Sequence, residues 1–320
     1  MARQETITLE ETRRTQMLAL CRGQSMLSQY MVRFCCLCCC FLNESCTDIG
    51  VNRQRDLFSG PLKIPIVLGK DPVKRRATLL AIRRPKLDTA YKYLQNRLAG
   101  VDDRTPFADN QSWVSSAGDY CFHRTDIFQL EGLRSVKNAY DALVFYMDNL
   151  EIAISEQLGQ LTLREDLDCV DTRVSNQRLM SSTEHGVVVE INSACFAEYY
   201  DAHADHNGEP FGLMIKDSVD VDELYPYCPE TRVQRTITAA VSASSFRRPR
   251  TGADCFDREG EGELVVVLRR CAYLCLKKPQ FDVSREALDD LCQSVVAWGN
   301  VMAKAVGDRA QALAISGNSP

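Results

Sequence analysis

An apolar run near the carboxyl end of the chain constrains the fold more than any other segment. Leu264 to Leu276 is apolar almost throughout, with Arg269 and Arg270 as an interruption, and such a run is typical of a buried strand. Ser284 then stands where it can cap a final helix. Apolar residues recur along that helix at the spacing of one buried face: Leu288, Leu291, Cys292, Val295, Trp298, Met302 and Ala305.

The rest of the chain mixes predicted helices and strands without a regular alternation. The clearest helix is predicted to run from about Asp126 to Leu158, with a break allowed near Gly132 or Asn149, because apolar residues recur there at three and four positions. Strands are predicted at 61–66, 77–82, 187–191 and 236–243, with a turn at 69–72, a stop at Pro85 and a helix at 87–98. Residues 100–120 are predicted to form a long surface loop, and 171–186 and 198–232 to be polar or turn-rich.

These elements place the chain in the α+β class. We predict an irregular mixed fold with one long central amphipathic helix, several short strands and a C-terminal strand-helix unit. The predicted organisation is a helical N-terminal segment over residues 1–50 that contains a cysteine-rich run, a mixed body over 51–310, and a frayed tail over 311–320. No secretory signal or transmembrane stretch is recognised, so an intracellular location, cytoplasmic or nuclear, is expected.

Charge is distributed unevenly along the chain. Between Arg53 and Arg97 there are 12 basic and 3 acidic residues, whereas residues 101–320 are acidic overall. A basic segment of this kind favours an anionic partner. The residues predicted to contact nucleic acid are Lys70, Lys74, Arg75, Arg76, Arg83, Arg84, Lys86, Tyr91, Lys92, Arg97, Arg247, Arg248 and Arg250, with the tyrosine available for base stacking. The alternatives are pairing with the acidic part of the same chain, an acidic protein surface, or a membrane surface.

Adjacent cysteines form a second unusual feature. Five thiols lie within six residues, at Cys35, Cys36, Cys38, Cys39 and Cys40, among the 15 cysteines of the chain. An odd count and adjacent positions suit reduced thiols better than a disulfide framework. Three interpretations stay open for the run: a buried apolar segment, reversible acylation that anchors the chain at a membrane surface, or part of a metal site.

Two histidines mark a third candidate. His203, Asp205 and His206 follow Glu198 and Asp201, and histidines three apart with a carboxylate between them can ligate a divalent metal. The His-Glu-x-x-His pattern is missing and a strong turn follows at once, which favours a solvated acidic loop.

The function expected from these patterns is non-enzymatic nucleic-acid binding, with RNA or single strands favoured over a duplex. No phosphate-binding loop or nucleophile elbow is present in the sequence, and no cofactor is predicted. The alternatives are a membrane-surface scaffold that uses the cysteine run and a metal-dependent hydrolase that uses the two histidines. Head-to-tail association of copies through the basic and acidic parts is a further expectation.

Overall fold

A large antiparallel sheet forms the centre of the protein. The computed structural model describes residues 64–171, 173–248 and 262–316. The eight strands of the sheet are β2 (Phe107–Val114), β3 (Tyr120–Leu130), β4 (Thr162–Asp171), β5 (Val174–Ser182), β6 (Val188–Tyr200), β7 (Phe211–Ser218), β9 (Arg232–Arg248) and β10 (Glu263–Leu276). They hydrogen-bond in the order β2-β3-β10-β9-β7-β6-β5-β4, and β6 also makes a short parallel pairing with β9.

Helices cover both faces of this sheet. The long first helix packs on one face, and three later helices pack on the other. They are α1 (Pro72–Arg97), and α2 (Val136–Asp148), α3 (Leu150–Leu158) and α4 (Arg285–Ser316). Two short strands, β1 (Val67–Leu68) and β8 (Val221–Asp222), pair in parallel beside the start of α1. The α+β class predicted from the sequence is confirmed.

The apolar run at the end of the chain becomes β10, which lies inside the sheet between β3 and β9. Its alternate residues enter two different cores, because successive side chains of a strand point to opposite faces. Leu268 and Leu274 pack towards α4, whereas Val267 and Cys271 pack towards α1. Burial on both faces explains why this strand is apolar almost throughout.

A single helix replaces the predicted strand and short helix between residues 77 and 98. Asp71 accepts hydrogen bonds from the backbone N–H groups of Val73 and Lys74, and Pro72 occupies the first helical turn, so this pair begins a helix rather than a turn. Pro85 lies inside α1 on its exposed side. The strand predicted at 77–82 is wrong, since the packing of one helix face on the sheet overrides the local signal.

The long central helix predicted over 126–158 is wrong in its first part. Asp126 lies in β3, where it pairs opposite Arg270 of β10. In this part of the chain, helix begins only after Ser135, whose side chain accepts a hydrogen bond from the backbone N–H of Asn138. The helical region is then interrupted at Asn149. The predicted loop at 100–120 contains β2, whose residues alternate between half-buried and exposed.

The last helix begins where the sequence predicted it and ends later than expected. The Ser284 hydroxyl accepts a hydrogen bond from the backbone N–H of Ala287 at 3.2 Å, which confirms the predicted start of the last helix. That helix continues to Ser316, so the chain is helical where a frayed tail was expected from 311. Residues 1–50 and their cysteine run lie outside the described residues. Within the described ranges, no helix combines the length and the apolar character needed to cross a membrane.

Candidate functional site

Arg75, predicted to contact nucleic acid, is instead the centre of a buried ion-pair network. Its side chain is 1% exposed. Nε donates to Asp168 at 2.8 Å, and Nη1 and Nη2 donate to the two carboxylate oxygens of Asp222 at 2.6 and 3.0 Å. Burial would raise the pKa of Asp222, but hydrogen bonds from Arg75 and Asn192 hold it below its usual value. The network attaches the start of α1 to the sheet.

Six of the other twelve predicted contact residues are also paired within the chain. Lys86 is buried against the Asp217 carboxylate, and that contact offsets part of the rise in the Asp217 pKa that burial causes. The remaining pairs are Arg83 with Glu198, Arg84 with Asp88, Arg97 with Asp109, and Arg248 with Glu131, while Arg247 donates to the Gly262 carbonyl. Arg250 lies outside the described residues. Lys70, Lys74, Arg76 and Lys92 are exposed on or beside α1.

The histidines proposed as metal ligands lie in an aromatic cluster. His206 stacks on Phe211 with 4.2 Å between ring centroids, and His203 contacts the rings of Tyr91 and Tyr200. Burial and the neighbouring His203 lower the pKa of His206. Tyr91, expected to stack on a base, is thus engaged by protein rings. In the part of the chain that the structure describes, no three His, Cys, Asp or Glu side chains are grouped to hold a metal ion.

A small chamber between the sheet and the later helices has a different chemistry. Its cavity volume is about 50 Å³. The walls come from α2, α3, β7, β9, β10 and α4, and they are apolar except for Tyr146, Lys216 and Arg270. The apolar walls are Met147, Leu150, Met214, Ile237, Ala239, Val241, Ala272, Leu274, Trp298, Gly299 and Met302.

Lys216 sets this chamber apart. The residue is 2% exposed, and its Nζ has no hydrogen-bond partner among the described residues. Its position follows from the alternation of side chains along β7. Met214 and Lys216 point towards the face covered by α2, α3 and α4, whereas Ile215 points towards α1. Burial lowers the pKa of Lys216 to about 8. The ammonium therefore remains largely charged at neutral pH inside an apolar wall.

Two further buried donor groups, one on Arg235 and one on Trp298, lie in the same layer. Arg235 contacts the Ser294 hydroxyl and lies over the Trp298 ring at 4.7 Å, but its Nε is unpaired, as is the indole N–H of Trp298. Arg270 differs, because the Asp126 carboxylate and the Gly299 carbonyl satisfy it. Buried polar groups are normally hydrogen-bonded. The layer around the chamber thus holds unpaired donors, which an acceptor-rich group would complement.

Sequence reasoning missed this site because residues 198–232 were interpreted as a turn-rich acidic region. The available signal was a single lysine that ends the apolar run Phe211–Ile215. A charged residue within an apolar strand is seldom fully buried without a partner. The same pattern marks Arg235, which lies between Val233 and Ile237 in β9.

Comparisons with known proteins give structural similarity alone. No protein-family profile matches the sequence, and no curated protein matches it. Among solved structures, the chain is similar to human STARD10, with 10% identity over 68% of this chain and 78% of that chain and a TM-score of 0.36. It is also similar to BexL, the di-domain ARO/CYC protein from the BE-7585A biosynthetic pathway. That match has 11% identity, covers 75% of this chain and 61% of that chain, and has a TM-score of 0.27.

The nucleic-acid function expected from the charge pattern is wrong. The pairing of its basic residues within the chain removes much of its structural basis. A phosphate-binding surface needs free, exposed cations. Arg75 and Lys86 are buried, and most of the other described arginines of the predicted surface pair with carboxylates of the same protein. In the described part of the basic segment, Arg75, Arg83 and Lys86 attach α1 to the sheet.

Proposed function

We propose that the protein binds an apolar small molecule that carries one anionic group, with Lys216 as the partner of that group. The observation that carries the proposal is the Lys216 ammonium, which is buried, unpaired and part of the wall of an apolar chamber. The proposed activity is binding alone, because no covalent step is needed to explain the arrangement.

Electrostatics favours an anion over a neutral guest. A buried charge without a partner is strongly unfavourable, and an opposite charge that also accepts its hydrogen bonds removes most of that cost. A carboxylate or another small oxyanion supplies both the charge and several acceptors. A neutral apolar ligand would fill the chamber but would leave the free-energy cost of the unpaired Lys216 charge unchanged.

The chamber walls suit the rest of such a molecule. The cavity volume of about 50 Å³ accommodates a group of only a few atoms, so a longer tail must take space that side chains now occupy. Met147, Met214 and Met302 line the chamber, and methionine is unbranched and readily changes conformation. We therefore expect the tail to displace methionine side chains between the sheet and α4.

Displacement of an environment-sensitive dye by straight-chain carboxylates, from hexanoate to hexadecanoate, tests the proposal when each acid is compared with the alcohol of equal length. Because a charge-assisted hydrogen bond contributes about 1.5–3 kcal/mol, the wild type should bind the best carboxylate at least about tenfold more tightly than its alcohol. In Lys216→Met that ratio should fall close to one.

A matched control is Lys304→Met, which removes an exposed lysine of α4 that pairs with Asp308. The carboxylate preference should survive in this variant. Equal affinity of acids and alcohols for the wild type, or an unchanged preference in Lys216→Met, would contradict the proposal.

The thiols support an intracellular setting for this function. Six described cysteines are free thiols, namely Cys121, Cys195, Cys228, Cys271, Cys275 and Cys292, although Cys121 and Cys275 lie in contact with each other. A reducing compartment maintains such thiols, and we place the protein there as part of the same proposal.

A further inference from the structure

The face of the sheet opposite the chamber contains a polar cleft whose wall includes Cys275, and the buried thiol of Cys121 lies directly behind it. The cleft has a volume of about 540 Å³ and is lined by Tyr93, His123, Thr236, Tyr273, Cys275 and Lys277, among others. Cys275 lies directly opposite Cys121 in the ladder that joins β10 to β3. The two sulfur atoms are 3.4 Å apart.

We propose that Cys121 and Cys275 form a reversible dithiol–disulfide pair that is oxidised by small hydroperoxides entering through the cleft. This inference is independent of the ligand proposed for the chamber. It assigns a modification site to a pair of residues that the sequence offered only as two of 15 cysteines.

The geometry allows the bond to form with a small movement. A disulfide requires about 2.05 Å between sulfur atoms and β-carbons about 3.5–4.5 Å apart. Directly opposite residues in an antiparallel ladder have β-carbons about 4.5–5.5 Å apart. Closing the bond must therefore pull the two strands slightly together, and strained disulfides are the ones that thiols reduce readily.

The surroundings of the pair favour reaction at Cys121. The Tyr273 hydroxyl donates to the Cys121 sulfur at 3.2 Å, and Lys277 pairs with Asp119 nearby. The hydrogen bond with Cys275, followed by the one from Tyr273 and the charge of Lys277, lowers the pKa of Cys121, although burial and the Asp119 carboxylate act to raise it. Only the pair Tyr120–Leu276 separates the thiols from the end of the ladder, where strands open most easily.

The reaction balances with hydrogen peroxide as the oxidant. The Cys121 thiolate attacks one peroxide oxygen, the O–O bond breaks, and hydroxide leaves to give a sulfenic acid. The Cys275 sulfur then attacks the Cys121 sulfur, forming the S–S bond while the sulfenic oxygen leaves as water. Overall, two thiols lose two hydrogen atoms and hydrogen peroxide becomes two waters. Reduced glutathione or a protein dithiol reverses the step by thiol–disulfide exchange.

Cys271 provides a matched control four residues before Cys275 in β10. Its thiol contacts the Thr125 hydroxyl at 3.8 Å, burial raises its pKa to about 12, and no second thiol lies opposite it. Position in the strand and burial are therefore similar for Cys271 and Cys275, whereas a partner sulfur is present for Cys275 alone.

The test is peptide mapping of the full-length protein after treatment with hydrogen peroxide at neutral pH and alkylation of the remaining thiols. We expect a cross-linked peptide pair that joins Cys121 to Cys275, lighter by two hydrogen atoms than the sum of its thiol forms and lost on treatment with dithiothreitol. Cys271→Ser should retain the cross-link. In Cys275→Ser, Cys121 should instead be trapped as a sulfenic acid by dimedone.

Two results would overturn the proposal. Cys121 and Cys275 could both remain fully alkylated while other cysteines consume the peroxide, or Cys121 could pass to a sulfinic acid in the wild type without any cross-link. Because the mapping is decisive on the wild type alone, a folding defect in Cys275→Ser would not prevent the conclusion. Carboxylate binding plays no part in this measurement, so a negative result here would not affect the ligand proposed for the chamber.

Discussion

Replacement of Lys216 by methionine is expected to stabilise the protein while it removes the carboxylate preference. Burial lowers the pKa of Lys216 from 10.5 to about 8, and a difference of this size corresponds to about 3 kcal/mol of unfavourable free energy at pH 7. Methionine has a similar length and carries no charge. Urea unfolding without ligand should therefore show the variant to be more stable by about that amount.

The gain should depend on pH in a defined direction. Below about pH 8 the lysine is protonated in both the folded and the unfolded chain, so the full cost of burying its charge is present. Between there and pH 10.5 the unfolded chain binds a proton that the folded chain does not, and wild-type stability rises with pH relative to the variant. The advantage of Lys216→Met should shrink from pH 7 to 9.5. An equal or lower stability of the variant at pH 7 would show that Lys216 is already satisfied.

Replacement of Arg75 by methionine should have the opposite effect and the largest one on stability. Its side chain neutralises Asp168 and Asp222 in a buried network that also includes Asn176. Removal leaves two carboxylates buried without a cation, and breaking a buried ion pair in this way costs about 3–5 kcal/mol. Urea unfolding followed by circular dichroism should show a clear fall in the midpoint.

Arg76 is the matched control for Arg75, because it is the next residue of the same helix and is exposed. Arg76→Met should change the free energy of unfolding by no more than about 0.5 kcal/mol. The comparison separates a buried structural arginine from a surface one within the segment that the sequence marked as a single basic region. Similar effects of the two substitutions would contradict the structural role assigned to Arg75.

Strong local patterns predicted the strands and the helix that lie at the centre of the fold. β10, β9, the start of β6 and the helix after Ser284 were all expected, because each combines an apolar pattern with clear end signals. The mixed α+β class follows from them. In each of these segments the local preference and the tertiary packing favour the same structure.

Other elements could not be derived because their periodicity is weak or misleading. α1 contains Pro85 and buries Arg75 and Lys86 along with its apolar residues, so its buried face does not look apolar in the sequence. β3 carries Asp126, whose burial depends on Arg270 of a strand distant in sequence. Partners far apart along the chain decide both segments, and a single sequence does not reveal those partners.

The candidate sites show the same limit. A run of basic residues predicts an exposed surface only when the carboxylates that could pair with them are remote. Here Asp168, Asp217 and Asp222 come from the region described as acidic by composition. Internal pairing was one of the interpretations left open. Lys216 was overlooked since one lysine after an apolar run carries meaning only when the burial of its strand is known.

The most direct measurement of the central claim is a pH titration of a bound fatty acid labelled with carbon-13 at its carboxyl group, followed by NMR. A carboxylate held by the Lys216 ammonium has its ionised form stabilised, whereas a carboxyl buried in an apolar cavity without a cation is driven towards its neutral form. The two situations move the pKa of the ligand in opposite directions.

The account predicts that acid bound to the wild type stays ionised at pH values where the same acid free in water is already protonated. In Lys216→Met, any acid that still binds should titrate above the free acid. A bound carboxyl in the wild type that titrates at or above the pKa of the free acid would contradict the assignment of Lys216 as the partner of an anionic ligand.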